Sequence, residues 1–183
     1  MFEKRQEWSA LTVLALLMLS ITSYNAFAQG RLQLSPDKAW VVEQTTSSMR
    51  VAQYRLPHSK SDQDDASLIV YFFGGGGGSV QANLDRWIGQ MAQPDGANSK
   101  DKAKVSNSTA NGLKVTLLDV SGIYQAETAP GSGERLNKPN YRMLASVIET
   151  PGGPYFIKLV GPTHTVEQWR RSFDSFINTI QFK

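Results

Sequence analysis

The chain has 183 residues, no cysteine, 19 basic against 16 acidic residues and a formal net charge of +3. Without cysteine there is neither a disulfide nor a thiol for a lipid to follow a leader, so stability must come from a packed core. The charge is mild, and Lys100, Lys102 and Lys104, its only local basic cluster, is interrupted by Asp101. That pattern lacks the concentrated basic face of a nucleic-acid binder, and no nucleic-acid partner is expected.

Residues 1–28 read as a cleaved leader. Lys4 and Arg5 give a positive start, diluted by Glu3 and Glu7, and Ala10 to Leu19 is apolar apart from Thr12. Ala26-Phe27-Ala28 is a small-x-small cleavage site with Gln29 as the mature start. The apolar stretch is about half of the roughly 20 residues that span a bilayer. A secretory signal peptide is therefore expected rather than an anchor. The mature product, about 155 residues long, reads as one exported domain over 29–183. It is expected in the periplasm or outside the cell, with no stable membrane anchor after processing.

Ala39 to Val42 and Ser48 to Leu56 read as strands, and Pro57 ends the second. The polar, acidic run His58 to Asp65 reads as an exposed loop. Leu68 to Phe73 is a third strand. Five glycines, Gly74 to Gly78, follow it. Ser79 to Met91 then shows helical periodicity, with Val80, Leu84, Trp87, Ile88 and Met91 on one apolar face and Ser79 as N-cap. Lys102 to Thr109 and Leu113 to Val120 form a hairpin about Asn111-Gly112, the strongest turn signal in the chain. Ser121 to Asn140 reads as a long irregular segment. Tyr141 to Glu149 and Tyr155 to Val160 form a second hairpin about Pro151-Gly152-Gly153-Pro154.

Thr165-x-x-Gln168 reads as a capping box that opens a final helix. Its stripe is Val166, Trp169, Phe173, Phe176, Ile177 and Ile180, with Glu167–Arg171 and Arg170–Asp174 as outer ion pairs. Trp87 and Phe173 are expected to be the buried anchors of the two helices. Hairpins imply antiparallel pairing, and helices with single apolar stripes must cover a sheet. The fold class is α+β: a single-domain, mainly antiparallel sheet packed with helices.

Tyr155-Phe156-x-Lys158-Leu159-x-Gly161-Pro162, followed by Phe173, Phe176-Ile177, Ile180 and Phe182, resembles the C-terminal third of PsbP-like proteins. The resemblance implies an α/β/α sandwich. The segments Ser47 to Tyr54 and Asn83-x-x-Arg86-Trp87-x-Gly89-Gln90 are similar to those of uncharacterised exported bacterial proteins. PsbP-like proteins include accessory factors for membrane-complex assembly, so the resemblance implies an accessory role and carries over no catalytic residue.

Glycines at a strand-to-helix junction either turn the chain tightly or present bare N–H groups to an anion. This run lacks the Gly-Lys-Ser/Thr ending of a phosphate-binding P-loop and sits in no visible βαβ unit, which argues against a nucleotide. At helical spacing, Asn83, Arg86 and Gln90 lie together beside Trp87. Gly76, Gly77, Gly78, Ser79, Asn83, Arg86 and Gln90 are therefore the candidate ligand-binding residues. Arg86 would be the charged contact and Asn83 the orienting one, with Ser121 to Asn140 as a cover. The plainer alternative is that these side chains pin neighbouring loops.

Two isolated histidines and no cysteine give no zinc spacing, and Asp62, Asp64 and Asp65 lack the glycine and distal glutamate of an EF-hand. No metal and no cofactor are expected. No Gly-x-Ser-x-Gly elbow supplies a nucleophile. The preferred expectation is a non-catalytic exported protein, an envelope accessory factor, that binds a partner protein or a small anionic or polar ligand. One rival is a hydrolase-type enzyme using Gly74 to Gly78 as an oxyanion or phosphate site. It would need His164, Glu127 or Asp85 to converge there. The other rival is a structural accessory protein with no small-ligand site.

Overall fold

The computed structural model describes residues 30–45 and 47–183. The leader, its cleavage site and Gln29 lie outside these residues. The strands are β1 (Leu32–Gln33), β2 (Val41–Glu43), β3 (Arg50–Leu56), β4 (Ala66–Phe72), β5 (Met91–Ala92), β6 (Lys104–Ala110), β7 (Leu113–Tyr124), β8 (Lys138–Glu149), β9 (Tyr155–Pro162) and β10 (Gln181–Phe182). The helices are α1 (Val80–Ile88), α2 (Ser99–Lys102), α3 (Thr163–Gln168) and α4 (Arg170–Thr179).

One antiparallel sheet runs in the order β2-β3-β4-β9-β8-β7, and β7 pairs beyond β8 with both β6 and β5. Asn111 and Gly112 turn β6 into β7 with φ of 48° and 83°, the left-handed conformation that a tight hairpin needs. A separate two-stranded ribbon joins β1 to β10.

Side-chain alternation gives this sheet two apolar faces. Val115, Leu144, Ile148, Ile157 and Leu159 point to one face, where Phe173, Phe176 and Ile177 of α4 close the core. Leu118, Val120, Met143, Ala145, Val147 and Phe156 point to the other, against Leu84, Trp87 and Ile88 of α1. Burial on both faces is why β8 reads as six consecutive buried residues, Met143 to Ile148. The result is the expected α/β/α sandwich. Trp87 is 3% and Phe173 1% exposed, so each anchors its helix as expected.

Several local expectations need correction. The first helix stops at Ile88, because Gly89 takes the C-cap and its N–H returns to the Asp85 carbonyl. Met91 is still buried, but on β5, opposite Tyr124. Asn98 caps the short α2, which apolar periodicity cannot reveal in so polar a segment. The irregular segment is shorter than expected: β7 runs to Tyr124 and β8 starts at Lys138.

The capping box does not form. The helix begins two residues earlier, at Thr163 after Pro162, and Asp62 of the 58–65 loop serves its first turn at Thr165. The Asp62 carboxylate accepts the Thr165 N–H at 2.7 Å and the Thr165 hydroxyl at 2.6 Å. A carboxylate at the first helical turn satisfies open N–H groups and meets the positive end of the helix dipole. Glu167 pairs with Arg142 of β8 rather than with Arg171, whereas the Arg170–Asp174 pair forms as expected at 3.0 Å. The acidic loop is thus tied down rather than free. Asp64 meets Lys138 at 2.9 Å, and Asp65 meets Arg55 at 2.6 Å.

Candidate functional site

Gly74, Gly75, Gly77 and Gly78 have φ of 61°, 88°, 97° and 84°, which residues with a Cβ adopt only at a cost. Two positions also approach other backbone or rings closely. A Cβ on Gly77 would stand 2.6 Å from the Phe156 ring and 2.8 Å from Phe73. A Cβ on Gly153, in the β8–β9 turn, would stand 2.5 Å from Gly75 Cα. Asn83 locks the run to the helix. It is 2% exposed, and its amide donates to the Gly77 carbonyl at 2.8 Å and the Ser79 carbonyl at 2.9 Å. Ser79 Oγ accepts the Ala82 N–H at 3.1 Å, as its N-cap role requires. These contacts describe a packed turn.

Arg86 and Gln90 lead away from that turn. Arg86 Nη2 donates to Asn83 Oδ1 at 2.6 Å while the side chain remains exposed. Gln90 Oε1 accepts from Lys158 Nζ at 3.3 Å. Lys158, in the middle of β9, also donates to the Tyr124 hydroxyl at 3.2 Å and lies 5.6 Å from that ring's centroid. Across the sheet, Arg50 stands opposite Tyr71 in register, with its guanidinium 6.0 Å from the Tyr71 centroid. Arg50 Nη1 donates to Gln53 Oε1 at 2.7 Å. Tyr71 in turn stands opposite Phe156, so all these groups share the α1 face.

The sequence candidates therefore divide. The structure places Gly76, Gly77, Gly78, Ser79 and Asn83 in the turn and its bracing. It places Arg86 and Gln90 in a second group with Arg50, Lys158, Tyr71 and Tyr124. Among the described residues, no carboxylate forms an ion pair with Arg50, Arg86 or Lys158. Three cations thus gather on one partly covered sheet face without a counter-charge.

The electrostatics reflect that crowding. Burial first, then the charges of Arg86 and Arg50, lower the Lys158 ammonium from 10.5 to about 8. Burial, with a smaller contribution from Tyr71, pushes Tyr124 up to about 12. Burial also raises Tyr71, although Arg50 and Arg86 pull it the other way. The Lys158 shift gives a signed expectation. Below pH about 8 the amine is charged in both folded and unfolded chains, and the full penalty is present. Between about 8 and about 10.5 the unfolded chain binds more protons, so stability rises with pH. Above about 10 the raised tyrosines reverse the slope. Chemical denaturation between pH about 7.5 and 9.5 should show a gain on the order of 1–3 kcal/mol. Lys158→Met should flatten that slope and leave the protein more stable at neutral pH. A slope unchanged by the substitution would show that Lys158 is not strained.

The residues that the rival enzyme reading needs do not meet at the turn. Asp85 accepts from Lys100 and Gln81, Glu127 accepts the Gly131 N–H, and His164 flanks Asp62. A cleft of about 240 Å³ between β6, β7 and α4 is lined by Lys104, Asp119, Arg170 and Phe173. Its Asp119, Arg170 and Asp174 are paired with one another. Arg142 binds both Asp119 oxygens at 2.8 and 2.7 Å, and Arg170 reaches Asp119 at 2.9 Å. Burial opposes ionisation of Asp119, but these two guanidinium groups outweigh it and hold the carboxyl below its usual range. The expected cover is a hairpin-like excursion whose Ala126 and Leu136 pack against the α1-side core.

Arg50, Tyr71, Tyr124 and Lys158 were missed as site residues in the sequence. One signal was present: Lys158 is a lone charge in the apolar strand Tyr155-Phe156-Ile157-Lys158-Leu159-Val160. Another lies in the three segments on which the sequence resemblances rest. Their polar residues, Arg50, Arg86, Gln90 and Lys158, come from those separate segments and meet on one face.

No family model matches the chain, and no curated protein matches it in sequence. Among solved structures, LpqN of Mycobacterium tuberculosis, involved in cell envelope biogenesis, is similar with a TM-score of 0.52 at 10% identity. The match covers 84% of this chain and 84% of LpqN, and it shows a shared fold. Cyanobacterial PsbP from Synechocystis gives 0.46 at 11% identity, over 83% of this chain and 92% of its own. A Pseudomonas aeruginosa protein of unknown function, PA94, gives 0.48 at 13% identity, over 76% of this chain and 94% of its own. Among the described residues, no helix is long and apolar enough to cross a membrane.

Proposed function

We propose that this chain is an exported, non-catalytic accessory domain of the cell envelope that binds an anionic ligand, or an acidic group of a partner, on its α1 face. The observation that carries the reading is the convergence of Arg50, Arg86 and Lys158 around Tyr71 and Tyr124 without a carboxylate partner. Like charges held together on a half-buried face raise the energy of the empty protein, and a bound anion relieves it. Guanidinium groups and tyrosines are also the side chains that most often carry binding energy at interfaces. Export is supported by the leader composition, and the envelope setting by the fold shared with LpqN. The glycine turn contributes by fixing the N-terminal end of α1, and hence where Arg86 projects.

Titration with inorganic phosphate, followed by amide NMR shifts, tests the site. Shifts should cluster at Arg50, Arg86, Gln90 and Lys158. Arg50→Ala combined with Arg86→Ala should weaken the interaction at least about 10-fold, equivalent to losing one charge-assisted hydrogen bond. Arg86→Ala alone should cost the fold about 1–3 kcal/mol, because it leaves the oxygen of the buried Asn83 side chain without its donor. Shifts centred on the Asp119 cleft, or none anywhere, would remove the reading.

A further inference from the structure

Lys158 rises between Ile69 on β4 and Ala145 on β8, and the residue is half-buried. Its hydrogen-bond partners, the Tyr124 hydroxyl and the Gln90 amide oxygen, are uncharged. A carboxylate there would hold the nitrogen as ammonium, but the charged neighbours, Arg86 and Arg50, are cations. Desolvation beside another cation is the setting in which a lysine amine becomes a nucleophile.

We propose that Lys158 captures small aldehydes or ketones bearing a carboxylate or phosphate, as a reversible imine, while Arg86 and Arg50 hold the anionic group. The inference rests on the anion-binding reading above. The neutral amine attacks the carbonyl carbon, a C–N bond forms, and the carbonyl oxygen takes a proton. The carbinolamine then loses its hydroxyl as water as the nitrogen lone pair forms C=N. Counted from the ammonium, the products are a protonated imine and water, so atoms and charge balance without oxidant or reductant. The Tyr124 hydroxyl, 3.2 Å from Nζ, is placed to pass the proton between nitrogen and departing oxygen. A carbonyl compound without an anionic group would gain nothing from the two arginines.

Pyridoxal 5′-phosphate, which carries an aldehyde and a phosphate on one ring, is the probe. Limiting reagent at pH about 8, borohydride reduction and peptide mass mapping locate the adduct. Burial and the two arginines raise the free-amine fraction of Lys158 at that pH above that of an exposed lysine. The reduced adduct should therefore favour Lys158 over Lys60, Lys100 and Lys138 by at least roughly 10-fold. Inorganic phosphate should compete, and Arg86→Ala should lower the preference several-fold. Lys158→Arg keeps the charge and removes the amine, so it should abolish the preferred adduct yet retain the phosphate-induced NMR shifts. Label spread evenly over the exposed lysines, with those shifts intact, would overturn the imine and leave the anion site standing. Even labelling with no phosphate shifts would overturn both.

Discussion

Phe156→Ala is expected to destabilise the protein by about 3–5 kcal/mol, the range for large aromatic truncations in a core. Phe156 is 1% exposed at the centre of the α1 face. Its ring meets Phe73 at 5.6 Å and Trp87 edge-on at 6.4 Å. A nine-residue helix such as α1 is marginal by itself and depends on this seat. Loss of the ring would also open space beneath Gly77, which sits against it. Urea denaturation monitored by Trp fluorescence gives the shift. A midpoint that barely moves would mean that α1 is not held by β9, and the position of Arg86 would lose its physical basis.

Gly77→Ala is expected to cost about 2–4 kcal/mol, from a strained backbone and an overpacked contact together. The residue sits at φ 97°, and its new methyl group would fall 2.6 Å from Phe156. Gly74→Ala is the control. That position has φ 61° and nothing within 4 Å of an added Cβ, so its cost should be confined to about 1 kcal/mol of backbone strain. Equal costs at the two positions would falsify the packed-turn account and return the run to the open cradle that glycine-rich junctions can form.

The sandwich was legible because alternation and 3.6-residue periodicity report burial directly. Trp87, Phe173 and the hairpin at Asn111-Gly112 needed no partner to be recognised. Asp62 as a partner of the helix's first turn was not legible, since its target, Thr165, is 103 residues away in sequence and only the sheet brings them together. The candidate site was read in half. Helical spacing grouped Asn83, Arg86 and Gln90, but spacing says nothing about which of them bonds inward. Asn83 is engaged by the Gly77 and Ser79 carbonyls, so orienting a ligand is not its evident task. Arg50 and Lys158 were invisible as partners of Arg86 because strand register, not local sequence, sets them on the same face.

The ribbon between β1 and β10 has a consequence for chain topology. The Arg31 and Lys183 backbones bond to each other, the Lys183 N–H donating to the Arg31 carbonyl at 3.1 Å. The described chain is thus nearly a ring, and a short peptide joining its two ends would need no rearrangement of the sheet. The order in which the strands are encountered then becomes a matter of where the ring is opened. The exposed tip at Gly131 to Gly133, where no neighbouring atom lies within 4 Å of an added Cβ at either glycine, is the natural place for new ends. A permuted chain opened there would keep β3, β4, β9 and α1, and with them the cationic face, in one uncut architecture.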